Sequence, residues 1–319
     1  MANTFFYKLL NNPFNDPVVT VEFRRDQRFF LFDIGEISII PQRHLQKISH
    51  IFVSHMHIDH FVGFDTLLRA VLIKEQPIYV YGPKGIINAV NGKLSGYTWN
   101  LIKDYPLKIE VCEVTETSII TALFYAKDGF NQTIKEKLPF SEIIYSEPTF
   151  SIKAAIFDHQ IPVLGYALIE DMQININKAR LIERSFKPGS WLSELKINTN
   201  NLSHMIMIDG IDYSVNDLKD LTNITKGQKI VYITDIAPSK ENIEKAVYLA
   251  MDADILFIEG YFLTQDSDHT GRKSHLTARA AGYIARMAGV KKFELIHISK
   301  KYLEMYNDVI DEAMKEFLS

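Results

Sequence analysis

Apolar and polar residues alternate with a period of two in VVTVEFR, FFLFDIG, HIFVSH, IYVYG and LKIEVCEV, which predicts five strands in the first third of the chain. FVGFDTLLRAVLI and KGIINAVNGKL instead repeat their apolar positions every three to four residues, the spacing of amphipathic helices. Between Thr115 and Pro148 the pattern loosens and gains Lys, Glu and Asn; strand character returns in SIKAAIF and VLGYALI, and a polar stretch follows from Glu170 to Lys229. The last third reads strand IVYIT, helix SKENIEKAVYLAM, strand ILFIEG, helix LTARAAGYIARMAG, strand KFELIHIS and a closing helix. Gly289 sits where a left-handed residue would stop the helix before it, and Asp252 to Asp254 marks a turn. No short repeat, low-complexity tract or linker interrupts this grammar, so the expectation is one α/β domain over residues 1–319 with insertions at about 115–148 and 170–229.

Composition narrows the class. Hydrophobic residues make up 47% and charged residues 23% of 319 residues, a globular balance with enough material for a large core. A formal net charge of −4 gives no global attraction to polyphosphate, so a nucleic-acid partner needs a local basic patch. Cys112 is the only cysteine; it excludes an intramolecular disulfide and, lying in KIEVCEV, reads as a buried thiol suited to a reducing cytoplasm. No apolar run of about 18 residues and no cleavable leader occur, so neither membrane insertion nor secretion is expected.

The candidate chemistry lies in SHMHIDHFVGFD, where His55, His57, Asp59 and His60 fall within six positions just after a strand. His55 and His57, two apart in an extended segment, project to one side, and Asp59 and His60 can turn back to the same point. Imidazole and carboxylate are the usual ligands of Zn²⁺ and related divalent ions. The ordinary alternative is a solvated histidine-rich turn, which composition alone would produce in on the order of one such chain in a couple of thousand.

The run His55-Met56-His57-Ile58-Asp59-His60 resembles the H-x-H-x-D-H signature of the metallo-β-lactamase superfamily. That resemblance implies an αββα sandwich, two mixed β-sheets flanked by helices, and later ligands at His159 in FDHQIPVLGYAL, Asp235 in VYITDIA and His297 in LIHIS. By the same resemblance His55, His57 and His159 hold one ion, Asp59, His60 and His297 a second, and Asp235 bridges the pair together with a water or hydroxide. FLFDIGE fits the superfamily's D-x-G segment, which makes Asp33 a support for the metal-binding loop.

Within the superfamily the chain is most similar to the ribonuclease Z family, over about Phe30 to Tyr302, on IYVYGPKGI, His159 followed by Gly165-Tyr166, FKPGSWLSELK and SHLTARAAGYIARMAGVKKFELIHIS. The likeness implies a metal-dependent phosphodiesterase acting on RNA, with precursor-tRNA 3′ trailers as substrate. It makes His275 in SHLT the proton donor, Glu259 in LFIEGYF its orienting carboxylate, and Asp59 a third member of the catalytic set. It further implies two divalent metal ions, Zn²⁺ by default with Mn²⁺ or Fe²⁺ acceptable, a homodimer and a cytoplasmic site of action. Three features depart from the family, one of them the interval between His60 and His159, which Thr115 to Pro148 lengthens as a lid, a dimer contact or a passive surface excursion. The Gly-rich N-terminal loop with a basic Arg-Asn pair is not found; Asn12 and Asn15 beside prolines suggest a turn instead. The interval that carries the tRNA-clamping arm has no glycine-proline-rich counterpart, although Lys178, Arg180, Arg184 and Lys187 with Phe186 and Trp191 form a candidate RNA surface, against the alternative of a solvated helix face. The departures keep open a hydrolase of a small phosphodiester, lactone or thioester, and, more remotely, a noncatalytic protein stabilised by metal.

Overall fold

The structure, a computed structural model, describes residues 4–266 and 274–319. Its contacts divide the chain into two compact units, Met1–Ile169 with Gln228–Ser319, and Glu170–Gly227.

The larger unit opens with an eight-stranded sheet in the order β1 to β8. These strands are β1 (Phe5–Leu9), β2 (Val19–Phe23), β3 (Phe29–Phe32), β4 (Ile48–Phe52), β5 (Ile78–Pro83), β6 (Lys108–Val114), β7 (Ser118–Tyr125) and β8 (Gln132–Pro139). β3 to β6 run parallel, and antiparallel pairs complete both sides. Helices α1 (Gln42–Leu45), α2 (Ile58–Phe61), α3 (Phe64–Val71) and α4 (Ile86–Ser95) lie between them in sequence. The chain then crosses to a second sheet with β9 (Ile143–Glu147), β10 (Phe150–Asp158) and β11 (Pro162–Glu170).

The smaller unit follows as β12 (Gln173–Ile176), α5 (Lys178–Glu183), α6 (Trp191–Ile197), β13 (Met205–Ile208), β14 (Ile211–Ser214), α7 (Val215–Leu218) and β15 (Thr222–Thr225). It has its own core of Leu181, Trp191, Leu195, Ile206, Ile208, Val215, Leu218 and Leu221. The second sheet then resumes with β16 (Lys229–Ile233), β17 (Ile255–Glu259) and β18 (Phe293–Ile296), interleaved with α8 (Lys240–Ala250), α9 (Ala278–Met287) and α10 (Tyr306–Phe317). Its order is β18-β17-β16-β11-β10-β9, with the β16–β17 and β17–β18 pairs parallel.

The strand patterns explain why the sheets stack. Inward residues of the first sheet, among them Phe23, Phe30, Phe32, Phe52 and Tyr81, interdigitate with Phe150, Ile152, Tyr166, Tyr232 and Phe257 of the second. The outer face of the first sheet packs on α3 and α4 through Leu67, Leu68, Ile87 and Val90, and that of the second on α8 to α10 through Leu249, Ile284 and Val309. This is the expected αββα arrangement, two mixed sheets between helical layers. Ser239 and Thr277 start α8 and α9 by accepting the amide hydrogens of Asn242 and Ala280. Gly289 ends α9 at φ 62°, as its position in the sequence predicts. Cys112 is buried, and burial pushes its thiol up to about 11, so it is a core side chain and not a nucleophile. No helix among the described residues is long and apolar enough to cross a membrane.

The segment 115–148, expected as an insertion, is woven into both sheets. β7 and β8 extend the first sheet with Ala122 and Phe124 in its core, and β9 pairs with β10 in the second.

Candidate metal centre

Side chains gather where strands of both sheets end. β4 delivers the loop with His55, β10 delivers His159, β16 Asp235 and β18 His297, each one to three residues beyond the last strand residue, while Glu259 closes β17. Asp33, Asp235 and His297 adopt left-handed backbone conformations with φ of 57°, 50° and 50°. For residues other than glycine this conformation is costly, and it turns these side chains back over the strand ends.

The seven expected ligands converge. His55, His57 and His159 can offer ligand atoms within 4.8 Å of one another, as can Asp59, His60 and His297, and Asp235 joins His55 and His60 in a third such set. The rings of His55 and His57 lie 4.3 Å apart, those of His55 and His60 4.3 Å, and those of His60 and His297 5.1 Å. Asp235 Oδ2 lies 2.6 Å from His60 Nε2 and 3.6 Å from His55 Nε2, and its Oδ1 lies 3.0 Å from His297 Nδ1.

Burial works against ionisation of Asp235, yet His297 and His60 beside it hold its carboxyl well below the usual carboxylate range. Burial and neighbouring imidazoles push His55 down to about 2, so its ring is neutral, as a ligand must be. Neither oxygen of Asp235, nor His55 Nε2, nor His60 Nε2 has a hydrogen-bond partner among the described residues. Close approach without hydrogen-bond geometry, deep in a protein, fits lone pairs aimed at shared cations and does not fit an ordinary polar core.

Two of the candidate ligands, His60 and His159, are held from behind. Asp33 is fully buried and its Oδ2 accepts from His60 Nδ1 at 2.7 Å, from Ser54 Oγ at 2.7 Å and from Tyr232 OH at 2.6 Å, while Oδ1 accepts from the Ser54 amide at 2.6 Å. His60 therefore carries its proton on Nδ1 and presents Nε2 inward. His159 donates from Nδ1 to the Ser274 carbonyl at 2.6 Å, which leaves its Nε2 free in the same way. Gly63 is required by close packing: a Cβ there would lie 2.3 Å from the Gly35 carbonyl oxygen. Ser54 and Tyr232 were not singled out from the sequence. Tyr232 had a usable signal, an inward tyrosine three residues before Asp235 whose hydroxyl must find a partner when buried.

His275 and Glu259 meet as expected. His275 Nδ1 lies 3.0 Å from Glu259 Oε2 and 3.0 Å from Asp235 Oδ1. Burial lowers the affinity of His275 for its proton, but the carboxylates of Asp235 and Glu259 beside it outweigh that and raise the group to about 9. Tyr261, also missed in the sequence, stacks on the His275 ring at 4.2 Å and 17° and fixes its plane. Asp235, Glu259, His275 and His297 also satisfy the geometric condition for a cation set. The Glu259 contact occupies Nδ1 of His275, which favours the role of proton carrier over that of ligand.

Beside Asp59 and His297 lies a cavity of about 370 Å³ whose wall is completed by Phe14, Asn15, Asp16, Tyr261, Ile298, Ser299 and Lys300. The Asn12–Asn15 segment is a turn, with the Asn15 amide donating to the Asn12 carbonyl at 3.1 Å, and Pro13 is bonded to Ile298 beside the centre.

The candidate RNA surface of the smaller unit is only partly presented. Lys178 and Lys187 are exposed, but Arg180 pairs with Glu183 at 2.8 Å and Arg184 pairs with Asp220 at 2.6 Å and lies over Phe186. Trp191 corrects the expectation: it is buried, its Nε1 donates to the Lys187 carbonyl at 3.1 Å, and its ring packs with Phe186. The unit needs that ring for its core, so no base can stack on it.

No protein-family model matches the chain. It is 30% identical over 278 residues to ribonuclease Z of Nanoarchaeum equitans, covering 85% of this chain and 75% of that protein. It is 26% identical over 291 residues to ribonuclease Z of Deinococcus radiodurans, covering 90% and 87%. Among solved structures, the short form of human tRNase Z superposes with a TM-score of 0.53 at 18% identity, covering 93% of both chains. The metallo-β-lactamase-fold protein YhfI of Bacillus subtilis superposes with a TM-score of 0.52 at 14% identity, covering 94% of this chain and 84% of that one.

Proposed function

This chain belongs to the ribonuclease Z family, and from that premise we propose that it is a metal-dependent endoribonuclease whose substrate is the 3′-extended end of precursor tRNA. The observation that carries the reading is the convergence of seven ligand-capable side chains with a buried His275–Glu259 pair at their edge. His55, His57 and His159 would hold one divalent ion and Asp59, His60 and His297 another, with Asp235 shared, and Zn²⁺ is the default for this donor set, Mn²⁺ and Fe²⁺ being compatible. When bound, such ions neutralise charge on the attacked phosphate and lower the pKa of water at the site.

The chain's own residues supply the rest. Glu259 holds His275 through Nδ1, so Nε2 is left to deliver a proton to the 3′-oxygen that departs when the P–O bond breaks. The buried Glu259 carboxylate beside it favours the protonated form of His275. A homodimer and a cytoplasmic site of action belong to the same proposal, on resemblance, and light scattering with cell fractionation tests them.

The decisive experiment couples elemental analysis to cleavage of 3′-extended tRNA and of an aryl phosphodiester. His275→Ala is expected to retain its metal and lose about 10²- to 10⁴-fold in kcat; Asp235→Ala is expected to lose both metal and activity. Metal-loaded wild-type protein that leaves both substrates intact would end the proposal. A second reading, hydrolysis of a small phosphodiester, is favoured by the Asn12–Asn15 turn, which stands where the family's basic RNA-handling loop is expected. It predicts a rate insensitive to salt, whereas RNA cleavage weakens steeply as salt rises.

A further inference from the structure

Building on the reading as an RNA phosphodiesterase, we propose that Lys300, Asn15 and Phe14 form the subsite for the nucleotide next to the scissile bond, with Lys300 as the phosphate grip that the N-terminal turn does not provide. The cavity of about 370 Å³ beside Asp59 and His297 has the volume of a small-ligand site, and these three side chains line it. Apart from the candidate ligands Asp59 and His297, its charged wall residues are Lys300 and Asp16. Asp16 has the wrong sign for a phosphate, so the grip falls to Lys300.

Lys300 is exposed, and its ammonium makes no ion pair or hydrogen bond among the described residues. Its neighbour Lys301, by contrast, is committed to Asp266 at 2.8 Å. An uncommitted cation on the wall beside a metal centre lowers the free energy of a bound phosphodiester without first breaking an internal pair.

The remaining wall suits a base. Phe14 is half-buried, edge-on to Tyr306 at 5.6 Å, and offers a ring for stacking, while the exposed Asn15 amide can both donate to and accept from a base edge. The two walls are tied together. Ile298 donates its amide hydrogen to the Pro13 carbonyl at 2.7 Å, and Ser299 donates to the Tyr261 carbonyl at 3.2 Å. The turn is braced from within, because the Phe14 amide donates to Asn12 Oδ1 at 2.9 Å and Asn11 Nδ2 donates to the Asp16 and Glu36 carbonyls at 2.7 and 2.9 Å. The backbone that carries cation, ring and amide is therefore held in fixed relation to His297, an arrangement that an unpaired nucleotide at an RNA 3′ end can fill.

The test is fluorescence-anisotropy titration of the metal-loaded protein with a noncleavable phosphorothioate RNA of about seven nucleotides, run alongside tRNA cleavage. Lys300→Ala should weaken binding about 5- to 10-fold at low salt and flatten the plot of log Kd against log salt by about 0.7, one phosphate contact on a single strand. Lys300→Arg should restore both. Phe14→Ala should weaken binding roughly tenfold at every salt concentration, the signature of lost stacking. The control is Lys240→Ala, which lies outside the cavity wall and is 89% exposed. Lys300→Ala indistinguishable from Lys240→Ala in affinity and slope overturns the subsite, even where the wild-type protein cuts tRNA. A wild-type protein that shows the Lys300-dependent slope but cuts no phosphodiester keeps the subsite and removes the reading it builds on.

Discussion

Asp33 concentrates four hydrogen bonds on one carboxylate at a left-handed backbone position, and through His60 it reaches the metal centre without touching it. Asn tolerates the left-handed backbone but presents an amide where His60 and Tyr232 need an acceptor. Asp33→Asn should therefore stay folded and lose about 10- to 100-fold in metal affinity, read by competition with a chelator; unchanged affinity would reduce Asp33 to a plain strand-end turn. His50 is a second buried residue with a readable consequence. Its ring is sandwiched by Phe30, Tyr79 and Tyr145 at 4.3, 4.7 and 4.4 Å, and burial, with Arg28 nearby, pushes it down to about 3. The unfolded chain takes up that proton near pH 6.5, so the stability it contributes is complete above 6.5 and is lost as pH falls toward 3. Between pH 7 and 4.5 the wild-type protein should lose about 1–3 kcal/mol more than His50→Phe, measured by urea unfolding at each pH. Both residues mark the limit of legibility at this scale. The His55–His60 run declares itself because four ligand types crowd six positions, whereas Ser54, Tyr232 and Tyr261 act through ordinary chemistry that only their neighbours make functional.

Elements were legible where one face is buried and the other is not. β2 alternates buried and half-buried residues and was read from its pattern, as were the helices α8 and α9 from their periodicity. β7 and β8 were lost for opposite reasons: β7 has consecutive buried positions at Thr121 and Ala122, and all of β8 is exposed, so neither keeps a clean period of two. Helix packing brings in a constraint that no pattern reveals. A Cβ on Gly282 in α9 would lie 2.1 Å from the Ala313 carbonyl oxygen of α10, while one on Gly92 in α4 meets nothing within 4 Å. Gly282→Ala should destabilise by about 1–3 kcal/mol through forced separation of the two helices. Gly92→Ala should stabilise by about 0.5–1 kcal/mol by removing freedom from the unfolded chain. Urea midpoints moving in the same direction would mean that helix propensity, not close approach, governs both sites.

At the scale of the whole molecule, the question is how much of the chemistry depends on Glu170–Gly227. This segment lies within the stretch whose polar composition suggested an insertion, and it carries its own core, with Leu195, Ile206, Val215, Leu218 and Leu221 fully buried. Its two ends meet: a Cβ on Gly227 would lie 2.1 Å from the Glu170 carbonyl oxygen, and β12 pairs with β15 from Gln173 opposite Thr225. The chain therefore leaves and re-enters at one place, and a short glycine linker can replace residues 172–225 without stretching either flank. All seven candidate ligands, with His275, Glu259 and Asp33, lie outside the segment. A unit of fewer than about 60 residues adds little stability of its own. The excised protein should accordingly keep its metal content and cleave an aryl phosphodiester within about threefold of wild type, while tRNA cleavage falls at least tenfold, because long polyanions gain from every added cation such as Lys178 and Lys187. Parallel assays on the two substrates decide it. Loss of metal on excision would make the segment part of the scaffold of the centre, and undiminished tRNA cleavage would leave substrate selection to residues around the metals alone.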